Sequence, residues 1–272
     1  MNSSDVGVNF SLKRVSAMVR RYWYLLRSSW PRILDLIYWP TVQMLMWGFL
    51  QLYVMQNGGL FARASGVFIG AVLLWDILFR GQLGFSICFL EEMYAHNLGN
   101  LMMSPLRPVE FIAALMIMSI VRLSIGMIPV TLLAILFFGF NLWSLGLALA
   151  AFFLNLILTS WSVGIFVAGL LLRNGMGAES LAWTIMFLFL PLTCVYYPVT
   201  VLPGFLQYVA WSLPPTYVFE GMRTLLIDHV FRANLMLEAF VFNVVLFAAA
   251  SLAFLKLLQS ARVHGSLLQE GE

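Results

Sequence analysis

The chain is 272 residues long, 62% hydrophobic and only 10% charged, with a formal charge of +3. A soluble domain carries about 25% charged residues, so water cannot disperse this much apolar sequence, whereas a bilayer can. The positive excess does not point to nucleic acid: Lys13, Arg14, Arg20, Arg21, Arg27 and Arg32 all precede the first apolar span, where basic residues face anionic membrane lipid.

The first element is predicted over residues 10–30. Leu12, Val15, Met18, Tyr22, Leu25 and Leu26 recur at helical spacing, and Lys13, Arg14, Arg20, Arg21 and Arg27 take the other face. This describes an amphipathic helix in the cytosolic membrane interface, with Tyr22, Trp23, Tyr24 and Trp30 at headgroup depth. Anchoring is its plainest role, and contact with a cytosolic partner the second. Pro31 ends it.

Gaps between charges mark the spans that follow. Residues 36–62, 123–172, 180–219 and 239–255 carry no Asp, Glu, Lys or Arg. A crossing takes roughly 20 apolar residues. Six spans are predicted, over 33–56, 65–89, 109–138, 144–172, 179–198 and 236–259, with a turn at Gly139 to Asn141 dividing the longest apolar run. Residues 199–222 are apolar but interrupted by Pro203, Pro214 and Pro215, which suits a re-entrant hairpin of two short helices.

Charge bias sets the orientation. With the N-terminus in the cytosol, the inner segments hold the six basic residues above plus Arg107, Arg173, Lys256 and Arg262, while the outer ones hold Arg63, Arg223 and Arg232. The bias predicts both termini in the cytosol. Asp76 and Arg80 lie inside span 2, four residues apart on one helical face. An ion pair that stabilises a buried helix is the first reading, and a contact on a transport path the second. Arg122, in span 3, has no local partner and is expected to snorkel to the cytosolic side.

Motifs for chemistry are missing. Lys13 and Lys256 follow Leu12 and Leu255, so no phosphate-binding loop with Gly before Lys exists. Cys88 and Cys194 stand apart, and His96, His229 and His264 are scattered, which forms no metal or catalytic set. The chain reads as a non-enzyme. Any work done with ATP must enter through a contact with another protein.

The loop after span 2 offers that contact. Glu91 and Glu92 open it, Leu98, Leu101 and Met102 recur at helical spacing, and Ser104-Pro105-Leu106 closes it. This segment resembles the cytosolic loop of type-2 ABC transporter permeases, which starts rich in Glu, makes a helical turn and leaves through Ser-Pro-Leu. Residues Leu202 to Gln207, Trp211 to Tyr217 and Gly221 to Arg223 resemble the outer re-entrant hairpin of the same family, with Pro214-Pro215 where the family more often has Asn-Pro.

The resemblance implies one membrane domain over 1–272, all-α and polytopic. It would comprise an interface helix (10–30), six transmembrane helices, a coupling helix (91–104) and an outer re-entrant hairpin (199–222). It implies a bacterial inner-membrane exporter of an amphiphile such as a lipid-linked glycan, lipid or drug. Two copies would pair, each with an ATPase subunit that carries ATP and Mg, and this chain would hold no cofactor. Glu91, Glu92, His96, Asn97, Leu98, Asn100, Leu101 and Met102 would meet the ATPase. The rival readings are an ion-coupled secondary transporter, with Asp76 as the coupling group, and a membrane-embedded enzyme or assembly scaffold.

Overall fold

The computed structural model describes residues 10–57 and 66–264, which form ten α-helices and short 3-10 turns, with no strand among them. Five helices are long and apolar enough to cross a bilayer: α2 (Trp30–Asn57), α3 (Val67–Tyr94), α5 (Pro108–Phe138), α6 (Leu147–Asn174) and α10 (Ala233–His264). Helix α1 (Leu12–Arg27) precedes them, and α4 (Leu98–Met103) joins α3 to α5. Between α6 and α10 lie α7 (Leu181–Leu192), α8 (Gly204–Trp211) and α9 (Pro214–Asp228). The chain is an all-α polytopic membrane protein.

Helix α3 is the central post. It is apolar on all sides, and a helix of that kind has to be surrounded. It packs on α2, α5, α6, α7 and α9, and most of its side chains are buried. Small residues bring the neighbours close. A Cβ at Gly84 would lie 3.1 Å from the Cα of Ser119 on α5. Ser160 of α6 donates its hydroxyl to the Leu78 carbonyl at 2.8 Å.

Helices α6 and α10 pack along much of their length and run parallel. Asn155 reaches the Met236 carbonyl near their starts, and Gly169 lies against Phe254 further on. Asn243 donates to the Asn155 carbonyl and accepts from Thr159, so the seam has a polar lock inside an apolar interface. Parallel neighbours require the intervening chain to return from the end of α6 to the start of α10.

The segment expected as a span over 179–198 makes that return, and it is helical only in part. Its helix, α7, has 12 residues and measures about 18 Å, short of the roughly 30 Å hydrocarbon layer. The flanks cover the remaining distance. Glu179 lies by Tyr94 at the α4 end of α3. Tyr196 stacks on Trp47 at 4.2 Å, and Trp47 faces Phe68 at the opposite end of α3.

The expected hairpin consists of α8 and α9. Pro203 caps α8 and Pro214 and Pro215 open α9, so the prolines start helices here rather than break one. Arg223 of α9 donates to the Cys194 and Val195 carbonyls, and Glu220 accepts from Val199 N at 2.8 Å. These contacts pin α9 to the turn after α7. Cys88 and Cys194 are free thiols, both buried.

Candidate functional site

The α4 end of the molecule gathers most of its charged contacts. Helix α3 ends at Tyr94 in a Schellman turn: His96 N–H donates to the Met93 carbonyl at 2.9 Å, and Asn97 N–H to the Glu92 carbonyl at 3.0 Å. His96 takes the left-handed position, φ 49°, that glycine usually fills. The side chains repeat the closure, since Asn97 Nδ2 donates to Glu92 Oε2 at 2.8 Å. Helix α4 then makes under two turns. Ser104 stops it with ψ 164°, the extended backbone required before Pro105. Pro108 opens α5, and the Glu110 carboxylate accepts from Arg107 N at 3.1 Å.

Three carboxylates at this end are held by arginines. Glu110 takes Arg14 Nε and Nη2 at 2.7 and 2.6 Å, together with Ser11 N at 2.7 Å. Glu92 takes Arg21 Nη1 and Nη2 at 2.6 and 3.0 Å. Glu91 lies 2.8 Å from Arg122 and 3.4 Å from Arg32. Forked guanidinium–carboxylate pairs fix direction as well as distance. The hydrogen bonds that Arg14 donates to Glu110 raise its pKa above the ordinary value.

Helix α1 is therefore a clamp on the α3–α4–α5 hairpin. Val15, Met18, Tyr22 and Leu26 are buried, mainly against α5, whereas Leu12 and Leu25, expected on the same face, are exposed. Of the basic face expected to meet lipid, Arg20 and Arg27 are exposed, but Arg14 and Arg21 turn inward to glutamates. Burial pushes the Tyr22 phenol well above its usual range. Arg122 does not snorkel: it is buried and donates to Glu91.

The residues expected to meet a partner divide into root and tip. Glu92 and Leu98 are buried, Leu98 at 1% exposure, while Glu91, Asn97 and half-buried Leu101 face the protein's own helices. Of Leu98, Leu101 and Met102, the apolar residues expected to meet the ATPase, Leu98 is thus enclosed by the chain's own helices and Leu101 partly so. The side chain of Met102 lies outside the described residues. The exposed tip is Tyr94, His96, Asn100 and Met103, the last 80% exposed. Sequence reasoning missed Tyr94 and Met103. The available signal was that a six-residue helix held by Leu98 must turn the residue five positions on away from the core.

Asp76 and Arg80 do approach each other, Oδ1 to Nε at 3.5 Å, on a face toward α2 and the turn after α7. No group of three or more His, Cys, Asp or Glu side chains among the described residues could hold a metal ion.

In comparison with protein families, the model for the ABC-2 type transporter matches residues 14–227. The match begins at Arg14, within the clamp, and runs through α9. No curated protein matches the chain.

Proposed function

The chain belongs to the ABC-2 type transporter family, and from that premise we propose an exporter permease that moves an amphiphile outward on ATP hydrolysed by a separate ATPase subunit. Being the membrane-spanning subunit of an ABC transporter, it serves transport rather than catalysis. The α4 end is taken as cytosolic, in a bacterial inner membrane, with both termini on that side. Two copies pair, and the exposed apolar face of α2, with Tyr38, Trp39 and Met46, supports such pairing.

The observation that carries the reading is the division of the α4 hairpin into a fixed root and an exposed tip. Tyr94, His96, Asn100 and Met103 offer a soft, mostly uncharged surface to a groove. Behind it, Arg21–Glu92 and Arg14–Glu110 tie both arms of the hairpin to α1. A push on the tip by closing ATPase subunits then moves α1, α3 and α5 as one body. A loosely held loop would absorb the push instead.

Co-expression with the cognate ATPase subunit tests it. Met103→Asp with Tyr94→Asp leaves insertion intact and abolishes ATPase co-purification and ATP-driven transport, because an interface cannot accept unpaired charge. Leu98→Asp instead lowers folded yield. Retained ATPase binding and transport in the tip variant overturns the coupling surface. Single-cysteine labelling at residue 103 from outside the cell overturns the orientation.

A further inference from the structure

Asp76 has no exposed surface. Neither of its carboxylate oxygens accepts a hydrogen bond, and Arg80 Nε opposite donates none. The pair is 3.5 Å apart, whereas Arg14–Glu110, Arg21–Glu92 and Arg122–Glu91 close to between 2.6 and 2.8 Å, and the comparably long Arg32–Glu91 pair, at 3.4 Å, has its arginine exposed. Charge-assisted bonds shorten to about 2.7–2.9 Å when the partners satisfy each other. Asp76 and Arg80 do not.

The reason lies partly on α2. Asp35, exposed on that helix, acts electrostatically on Arg80, so the guanidinium answers to a second carboxylate besides Asp76. A buried carboxylate without donors is costly unless something positive reaches it. The surroundings are aromatic. Phe79, just before Arg80, lies 6.1 Å from Trp183 and 5.8 Å from Phe187 of α7, whose rings are exposed. Tyr196, within electrostatic reach of Asp76, stacks on Trp47. Ring faces attract cations and also give an apolar body somewhere to lie. An inorganic cation is disfavoured, since it needs several converging oxygen ligands.

We infer that Asp76 binds the charged end of a cationic amphiphile, an organic cation with a broad apolar body that the aromatic residues around Phe79 and Tyr196 would receive. This rests on the permease reading and narrows its substrate class. Arg80 fills the place of the cation when the site is empty and turns toward Asp35 when one arrives.

Equilibrium binding of tetraphenylphosphonium and tetraphenylborate to the purified full chain in lipid nanodiscs tests this, with empty nanodiscs subtracted. The two probes share a shape and differ in sign. Tetraphenylphosphonium binds saturably, and tetraphenylborate shows lipid partition alone. Asp76→Asn weakens the cation about tenfold or more, and Arg80→Gln, which frees Asp76, tightens it. The double variant D76N/R80Q removes both charges together, so it leaves no buried charge unpaired, and it too loses cation binding. The inference is overturned by absent saturable binding in the wild type, by equal binding of both probes, or by binding that survives in D76N/R80Q. No ATPase subunit is present in this assay, so its failure leaves the co-purification test standing.

Discussion

Arg21 of α1 meets Glu92 of α3 through two parallel hydrogen bonds, although 71 residues separate them in sequence. With Arg14–Glu110 it turns an amphipathic surface helix into part of the machinery around α4. Glu92 is buried while Arg21 is more than a third exposed, so the cost of breaking the pair falls mainly on the stranded carboxylate.

Arg21→Gln should therefore destabilise the protein by about 1–3 kcal/mol, the penalty for a buried acceptor left short of donors. Glu92→Gln in the same chain should recover part of that loss. Thermal unfolding of the two single variants and the double variant in detergent measures the coupling. Additive effects would show that the pair contributes no fixed geometry.

His96→Val should destabilise the turn between α3 and α4. His96 holds φ 49° there, a left-handed conformation that a branched side chain tolerates poorly, at a cost of about 1–2 kcal/mol. A melting temperature for H96V equal to that of the wild type would show that the turn does not impose this conformation.

Gly126→Ala addresses the packing of α2 on α5. A Cβ at this position would lie 2.6 Å from the Leu36 carbonyl oxygen, and backbone cannot swing aside as a side chain can. One methyl group should cost about 1–3 kcal/mol by forcing the helices apart. The cross-linking rate of a cysteine pair placed across α2 and α5 should fall in G126A. An unchanged rate and melting temperature would show that the two helices are not in close contact.

Arg223→Gln should loosen the far end without harming the α4 end. Arg223 joins Glu220 at 2.9 Å and donates to the Cys194 and Val195 carbonyls. Losing this buried fork should cost about 1.5–3 kcal/mol. Hydrogen exchange should speed up over residues 194–203 and stay unchanged in α6 and α10. Arg223→Lys should rescue it only partly, since an ammonium cannot serve both carbonyls and Glu220 from one place. Uniform loss of protection along the chain would contradict a local role.

The apolar runs and charge gaps were enough to read the solvent, the all-α class and five of the long helices, because a bilayer demands about 20 apolar residues per crossing whatever surrounds them. Glu91, Glu92 and the Ser104-Pro105 stop were also legible, as local features of a helix end and a helix breaker. Local pattern could not tell which side of α4 faces inward. Leu98 and Met103 are both apolar, and the packing of Leu98 into the core leaves Met103 at the surface. Nor could it tell that α7 stops after 12 residues, since Thr193 to Pro198 are as apolar as a continuing span and leave the helix to stack Tyr196 on Trp47. Arginines before a span read equally well as lipid contacts or as partners for distant glutamates. The sequence by itself determined the solvent and the five long apolar helices, which follow from the transfer of each segment into lipid. The direction taken by Arg14, Arg21 and Arg122, and the incomplete pairing of Asp76 with Arg80, were decided by tertiary structure, because a charge's partner depends on which helices meet in space.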